Sequence, residues 1–145
     1  MAIIKVSDKS ARIWAELCHE LWPHHSADEM LSEYKRGALP NEFLYLQAEQ
    51  PIAFLSLSIR TDYVEGKTDP GPVGYVEGIY VRLPYRKRGI AKELIQFAKR
   101  WAAEQGCTML ASDCELDNED SRLFHKKIGF DEVSVNVHFA MQLNS

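Results

Sequence analysis

The run Arg86-Lys87-Arg88-Gly89-Ile90-Ala91-Lys92 gathers four cations around one glycine. A strand-like segment from Gly74 to Val81 precedes it, and an amphipathic stretch from Gly89 to Gln105 follows it. That order predicts a basic turn leading into a helix N-terminus. Free amides at such a terminus, together with the helix dipole, favour an anion. Gly89 lets the backbone come close to a bound group, and Ala91 keeps the approach unobstructed. Arg86, Lys87, Arg88 and Lys92 add charge at the same spot, so the chemistry indicated is binding of a phosphate or pyrophosphate. A water-exposed basic helix cap is the alternative for the same residues. The run lacks the Gly-Lys-Ser/Thr ending of a P-loop and the glycine pattern of a dinucleotide fingerprint.

Two acids stand out against their surroundings. Strand alternation puts Val73, Tyr75, Glu77, Ile79 and Val81 on one face, and Glu77 is the only charge in that set. A carboxylate in an apolar row needs a partner or a function, and a salt bridge would serve as the partner. Asp113 ends the next strand-like run, beyond Met109 and Ala111, either as a site residue or as a turn aspartate. Five acids between Asp113 and Asp120 form a solvated loop or an attractor for a polycation. Trp22 and His25 flank Pro23, and Tyr63 lies in a polar loop spanning 61–72. Such aromatics stack on sugar rings or simply pack. His24 and His25 have no third ligand nearby in sequence, so no metal is expected. Cys114 has no base beside it, which argues against a nucleophilic role.

These residues need a scaffold, and the hydrophobic periodicity supplies one. Residues 2–6 read as a first strand. Ser7 and Ser10 are candidate caps for a helix carrying Ile13, Trp14, Leu17, Cys18 and Leu21, which Pro23 ends. A second helix is expected over 26–36, with Gly37 as its stop. Segments 42–48 and 51–59 predict a hairpin turning at Glu49-Gln50. After the central strand and its helix come a strand at 108–113 and a short helix at 118–127. Val133–Val137 and Phe139–Leu143 are expected as closing strands. The order is β-α-α-β-β-β-α-β-α-β-β, a mixed α/β (α+β) architecture with a strand–helix–strand crossover.

With 145 residues, the chain is expected to form one domain over 1–145. Apolar residues at 46% and charged residues at 26% exclude disorder and a disulfide scaffold. No apolar run is long enough to span a membrane, and the N-terminus lacks the apolar core of a secretory signal. The net charge of −4 argues against nucleic acid as the main partner. Three cysteines without ligand spacing suit a reduced, cytoplasmic setting.

The phrase Arg86-x-x-Gly89-x-Ala91 resembles the acetyl-CoA motif of the GNAT superfamily of N-acetyltransferases. His125-Lys126-Lys127-Ile128-Gly129-Phe130 resembles that superfamily's helix-end Gly-Phe phrase. Five further phrases, in order, are similar to the aminoglycoside 6′-N-acetyltransferases. They are Leu21-Trp22-Pro23-x-His25, the stretch from Ser58 to Gly66, Glu77 to Val81, Ala111-Ser112-Asp113 and Leu116-Asp117-Asn118. The resemblance implies a GNAT fold, with six to seven strands flanked by about four helices and splayed at the acetyl-CoA site. It also implies acetyl transfer from acetyl-CoA to an aminoglycoside amine, antibiotic resistance, and a homodimer formed through C-terminal strands. By the same resemblance Ile79, Tyr80 and Val81 offer backbone groups to the pantetheine arm. Arg86, Lys87, Arg88, Gly89, Ile90, Ala91 and Lys92 hold the pyrophosphate, and Asn118 bonds the arm near its reactive end. Trp22, His25, Tyr63, Glu77 and Asp113 line the acceptor pocket, with Glu77 the expected base and Asp113 an ammonium anchor. Two departures are visible. His125 stands where many relatives carry a tyrosine that protonates the leaving thiolate, and Ser134 stands where some carry an acid. Another amine acceptor (a polyamine, a peptide N-terminus or a lysine) and a non-catalytic CoA-binding sensor are the alternative functions.

Overall fold

The computed structural model describes residues 2–144. Its strands are β1 (Ile3–Lys5), β2 (Glu42–Gln47), β3 (Gln50–Arg60), β4 (Val73–Val81) and β5 (Met109–Ser112). Its helices are α1 (Ala11–Leu21), α2 (Ala27–Lys35), α3 (Ile90–Glu104) and α4 (Glu119–Lys127). A single 3-10 turn, Leu83–Tyr85, joins β4 to the basic segment. The strands form one sheet in the order β1-β2-β3-β4-β5, antiparallel up to β4 and parallel between β4 and β5.

Each face of the sheet is covered because each helix carries an apolar stripe. Trp14, Leu17 and Cys18 of α1, with Met30 of α2, pack on Leu44 and Phe54. Ile90, Leu94, Ile95 and Ala98 of α3 pack on the opposite face against Leu55, Leu57, Val76 and Val81. Leu94 and Phe54 are fully buried; burying a side chain of this size contributes about 1.5–3 kcal/mol. The helix ends follow the sequence reading with one exception. Ser26 caps α2 by accepting from the Glu29 amide, and Asn118 caps α4 by accepting from the Ser121 amide. Ser10 precedes α1 but makes no side-chain cap, because its hydroxyl instead closes a turn with Ser7.

The feature that positions the site is a fork. β4 pairs with β5 only from Val73↔Met109 to Val76↔Ser112. Beyond that register the strands part, and the edge of β4 from Glu77 to Val81 has no strand partner on that side among the described residues. Across β4, Ser56 pairs with Gly78 and Leu57 with Val76, so Glu77 is an extra residue in the ladder. This bulge corrects the expected face of β4. Val73 and Tyr75 pack together, whereas Ile79 and Val81 join Val76 in the cluster beneath α3. A bulge shifts the alternation by one residue, and sequence periodicity does not reveal it.

The strand count is also corrected. The sheet has five strands rather than six or seven, and the segments 133–137 and 139–143 form no ladder among the described residues. Val133, Val135, Val137, Phe139, Met141 and Leu143 are all exposed. Apolar alternation specifies a chain suited to a sheet, but it does not specify which edge receives it.

Candidate active site

The donor side of the fork is built largely from backbone. Gly89 is the residue before α3 and takes φ +81°, a conformation that glycine adopts without strain. A Cβ built there would meet no atom within 4 Å, so the space over the turn is open. The amides of the first helical turn have no acceptor within the helix and no side-chain cap, and Lys87, Arg88 and Lys92 are their neighbours along the chain. Arg86 is anchored, donating from Nε to the Val81 carbonyl at 2.7 Å and lying over the Tyr80 ring. Arg88 lies over the Tyr85 ring. The predicted cations therefore surround one turn, but Arg86 also braces it. Across the fork, Asn118 spends its Oδ1 on the α4 cap, which leaves its amide nitrogen available to a ligand.

The opposite side is built from side chains of distant segments. A cavity of about 680 Å³ is lined by Trp22, His25, Met30, Glu42, Ser56 and Glu77, among others. Trp22 packs its ring against Phe54 and over Gly78, where any Cβ would lie 2.6 Å from the indole. Glu77 is held by two partners. The Ser58 hydroxyl donates to it at 2.5 Å, and Arg60 donates from two nitrogens at 2.9–3.2 Å. Arg60 also lies 3.5 Å over the Tyr75 ring, and the Tyr75 hydroxyl donates to Asp113. Burial, then the bond to Asp113 and its charge, push the Tyr75 phenol well above its usual range. Glu77 and Asp113 are thus linked through Arg60 and Tyr75 in one network at the fork.

Beneath Glu77 lies a second carboxyl that the sequence did not reveal. Glu42 is buried and accepts from Ser56 at 2.7 Å and from the Trp14 indole at 3.2 Å. Burial pushes its carboxyl up to about 8 against those two bonds, and the Glu77 charge adds to the rise. The serines at 56 and 58 in an otherwise apolar strand were the available signal, because each serves a carboxylate.

Three predicted residues sit apart from this network. Tyr63 is exposed in the 61–72 loop and bonds only to Glu65, and it does not line the cavity. His25 lies at the cavity rim with Nδ1 3.3 Å from Glu29, and its carbonyl lies 2.7 Å from the His19 ring nitrogen. His125 lies on the α4 side of the fork, with Nε2 2.8 Å from the Ser112 hydroxyl. Among the described residues, no three His, Cys, Asp or Glu side chains group to hold a metal, and no helix is long and apolar enough to cross a membrane.

Comparison with known proteins fits this geometry. The profile of the Acetyltransferase (GNAT) family matches residues 9–130. The chain is 41% identical to an aminoglycoside N(6′)-acetyltransferase type 1 of Acinetobacter genomosp. 13, covering 96% of this chain and 97% of that one. It superposes with a TM-score of 0.88 on the apo crystal structure of aminoglycoside 6′-N-acetyltransferase AAC(6′)-IG from Acinetobacter haemolyticus, at 38% identity and covering 99% and 100% of the two chains. It superposes equally, at 0.88 and 32% identity over 97% of each chain, on AAC(6′)-Iy in complex with the bisubstrate analogue CoA-S-monomethyl-acetylneamine. A forked mixed sheet, an open glycine turn at a helix N-terminus and these full-length similarities lead to one conclusion: the chain belongs to the acetyltransferase (GNAT) family.

Proposed function

We propose that the protein transfers acetyl from acetyl-CoA to the 6′-amine of an aminoglycoside, the activity named for its relatives. The observation that carries this reading is the pair of sites on either side of the β4–β5 fork. One side has the open, cationic Gly89 turn suited to phosphates, and the other has a cavity with the Glu77 carboxylate in its lining, suited to an amine. The residues present fit acetyl-CoA: open amides and cations for the pyrophosphate, and the β4 edge from Ile79 to Val81, which β5 leaves uncovered, for the pantetheine arm. Asn118 offers its side-chain nitrogen near the reactive end.

An ammonium has no lone pair, so the amine must lose a proton as attack begins. Asp113 and Glu77 hold the incoming cation. Both Glu77 oxygens are engaged by Ser58 and Arg60, so Glu77 takes the proton through a bridging water as the network loosens. Backbone N–H groups of the open β4 edge polarise the thioester carbonyl. Trp22 gives the sugar ring an apolar wall, with His25 at the rim. Tyr63 joins the pocket only if its loop folds over a bound acceptor.

The same reading includes a homodimer. The arm from Val133 to Leu143 alternates exposed apolar residues, and an edge of that kind is normally covered by another chain. Sedimentation showing only a 16.6 kDa species would refute the dimer. A cytoplasmic location goes with it, because Cys18 and Cys107 are buried free thiols and acetyl-CoA is a cytoplasmic metabolite.

The test is thiol release from acetyl-CoA against a panel of amines. Turnover with aminoglycosides and with few other amines is expected. Turnover confined to polyamines or peptides would replace the acceptor, and tight CoA binding without turnover would leave a sensor.

A further inference from the structure

Ser112 and His125 face each other where β5 ends and α4 closes. Ser112 is the last residue of β5, paired with Val76 at the final register before the strands part. Its hydroxyl lies 2.8 Å from His125 Nε2. On the other side of the ring, Nδ1 lies 2.7 Å from the Ser121 carbonyl. A carbonyl oxygen only accepts, so Nδ1 carries a proton and Nε2 is left to exchange one with Ser112. The Ser121 hydroxyl, 3.3 Å from Nδ1, adds a weaker contact. Phe124 and Phe130 flank the imidazole, with ring centroids 5.6 and 5.1 Å away.

This geometry satisfies the ring in both protonation states. In the neutral state the Ser112 hydroxyl donates to Nε2. In the imidazolium state Nε2–H donates to Ser112 Oγ, which frees the serine hydrogen to turn into the fork. A histidine meant only to tie α4 to β5 would need one such bond. Here both nitrogens are held, and the partner of Nε2 is the hydroxyl at the strand divergence.

We infer that Ser112 hands a proton to the departing CoA thiolate, with His125 as the reservoir behind it. This inference rests on the acetyl-transfer reading above. As the acceptor nitrogen attacks, the new C–N bond forms and the C–S bond breaks, with its electron pair passing to sulfur. Sulfur takes the Ser112 hydroxyl proton, and Ser112 Oγ takes the Nε2 proton from His125. The ring becomes neutral and is recharged by a solvent proton, which balances the one the amine released. CoA leaves as the thiol, and the protein is unchanged. Ser112 is therefore a catalytic residue, and His125 acts through it.

The test is a double-mutant cycle on steady-state turnover, with the fold checked by circular dichroism. Ser112→Ala should lower kcat about 10²-fold, the scale of general-acid loss, with KM for both substrates nearly unchanged. The isosteric pair Ser112→Thr and Ser112→Val separates hydroxyl from shape: Thr should recover most of the activity and Val should not. His125→Phe combined with Ser112→Ala should cost no more than the worse single change, because the two act as one unit. Wild-type kcat in Ser112→Ala, equal activity of the Thr and Val variants, or costs that multiply would each overturn the relay. A wild type that acetylates other amines but no aminoglycoside would sink the acceptor assignment instead, and the cycle would then be read with the accepted amine. A wild type that releases no thiol with any amine would overturn both.

Discussion

The two sides of the fork are made of different materials. The donor side is backbone: a left-handed glycine, the amides of the first turn of α3 and the open edge of β4. The acceptor side is side chain: Glu77 on Ser58 and Arg60, Arg60 on Tyr75, Tyr75 on Asp113, and Glu42 on Ser56 beneath them. A backbone site tolerates changes in its own side chains but not a change in its φ angle or its charge. A side-chain network behaves in the opposite way, since each member is held by the next. Removing one leaves its partner unpaired, so losses spread along the chain of contacts.

Gly89→Asp should break the donor side most completely. It forces a Cβ into φ +81° and puts a carboxylate beside the phosphates. A unit of repulsion at about 4 Å and intermediate dielectric is worth roughly 4 kcal/mol, so acetyl-CoA affinity should fall about 10³-fold by calorimetry. Undiminished CoA affinity would remove the phosphate assignment. On the acceptor side, Glu77→Gln keeps the shape but removes the base. We expect kcat to fall by about 10²-fold, with acetyl-CoA affinity retained. Wild-type turnover by this variant across pH 6 to 9, the range over which amine deprotonation matters, would make Glu77 structural.

Asp113→Asn is a milder cut, because the amide can still accept from Tyr75. KM for the aminoglycoside should rise about tenfold, the worth of roughly 1.4 kcal/mol of lost charge attraction, while KM for acetyl-CoA stays the same. A rise in both would mean that the two sides are not separable. The smallest effect concerns Glu42. Its carboxyl sits at about 8 in the folded chain against an ordinary 4.5, so the folded state keeps a proton that the unfolded chain releases. That stabilisation is full below 4.5 and is lost as pH rises through 8. Glu42→Gln should therefore leave stability near wild type in acid and flatten the decline between those limits, as read by thermal unfolding across pH. An unaltered pH slope would mean that Glu42 is charged throughout.

Much of this was legible in the sequence because it is local. The order of helices and strands follows from apolar spacing, with Pro23 and the glycines at 37, 89, 106 and 129 marking ends. The anion turn needs only contiguous residues, Arg86 to Lys92, with a glycine that lets the backbone approach a bound group; its positive φ is a finding of the structure. Glu77 stood out because one charge interrupted an apolar row, and the salt bridge weighed as its alternative partner is present as Arg60.

Tertiary structure decided what depends on distant partners. The bulge at Glu77 arises from the match of β3 to β4, and the pattern of either strand alone does not contain it. Arg60 and Ser58 become partners of Glu77 only through that pairing, and Tyr75 meets Asp113 only where β5 joins β4. Ser112 reaches His125 because α4 folds back against the end of β5. The C-terminal arm carries the alternation of a strand, yet no edge among the described residues takes it. Local sequence fixes conformation through sterics and periodicity, whereas the choice of partner is an energy difference between whole arrangements of the chain.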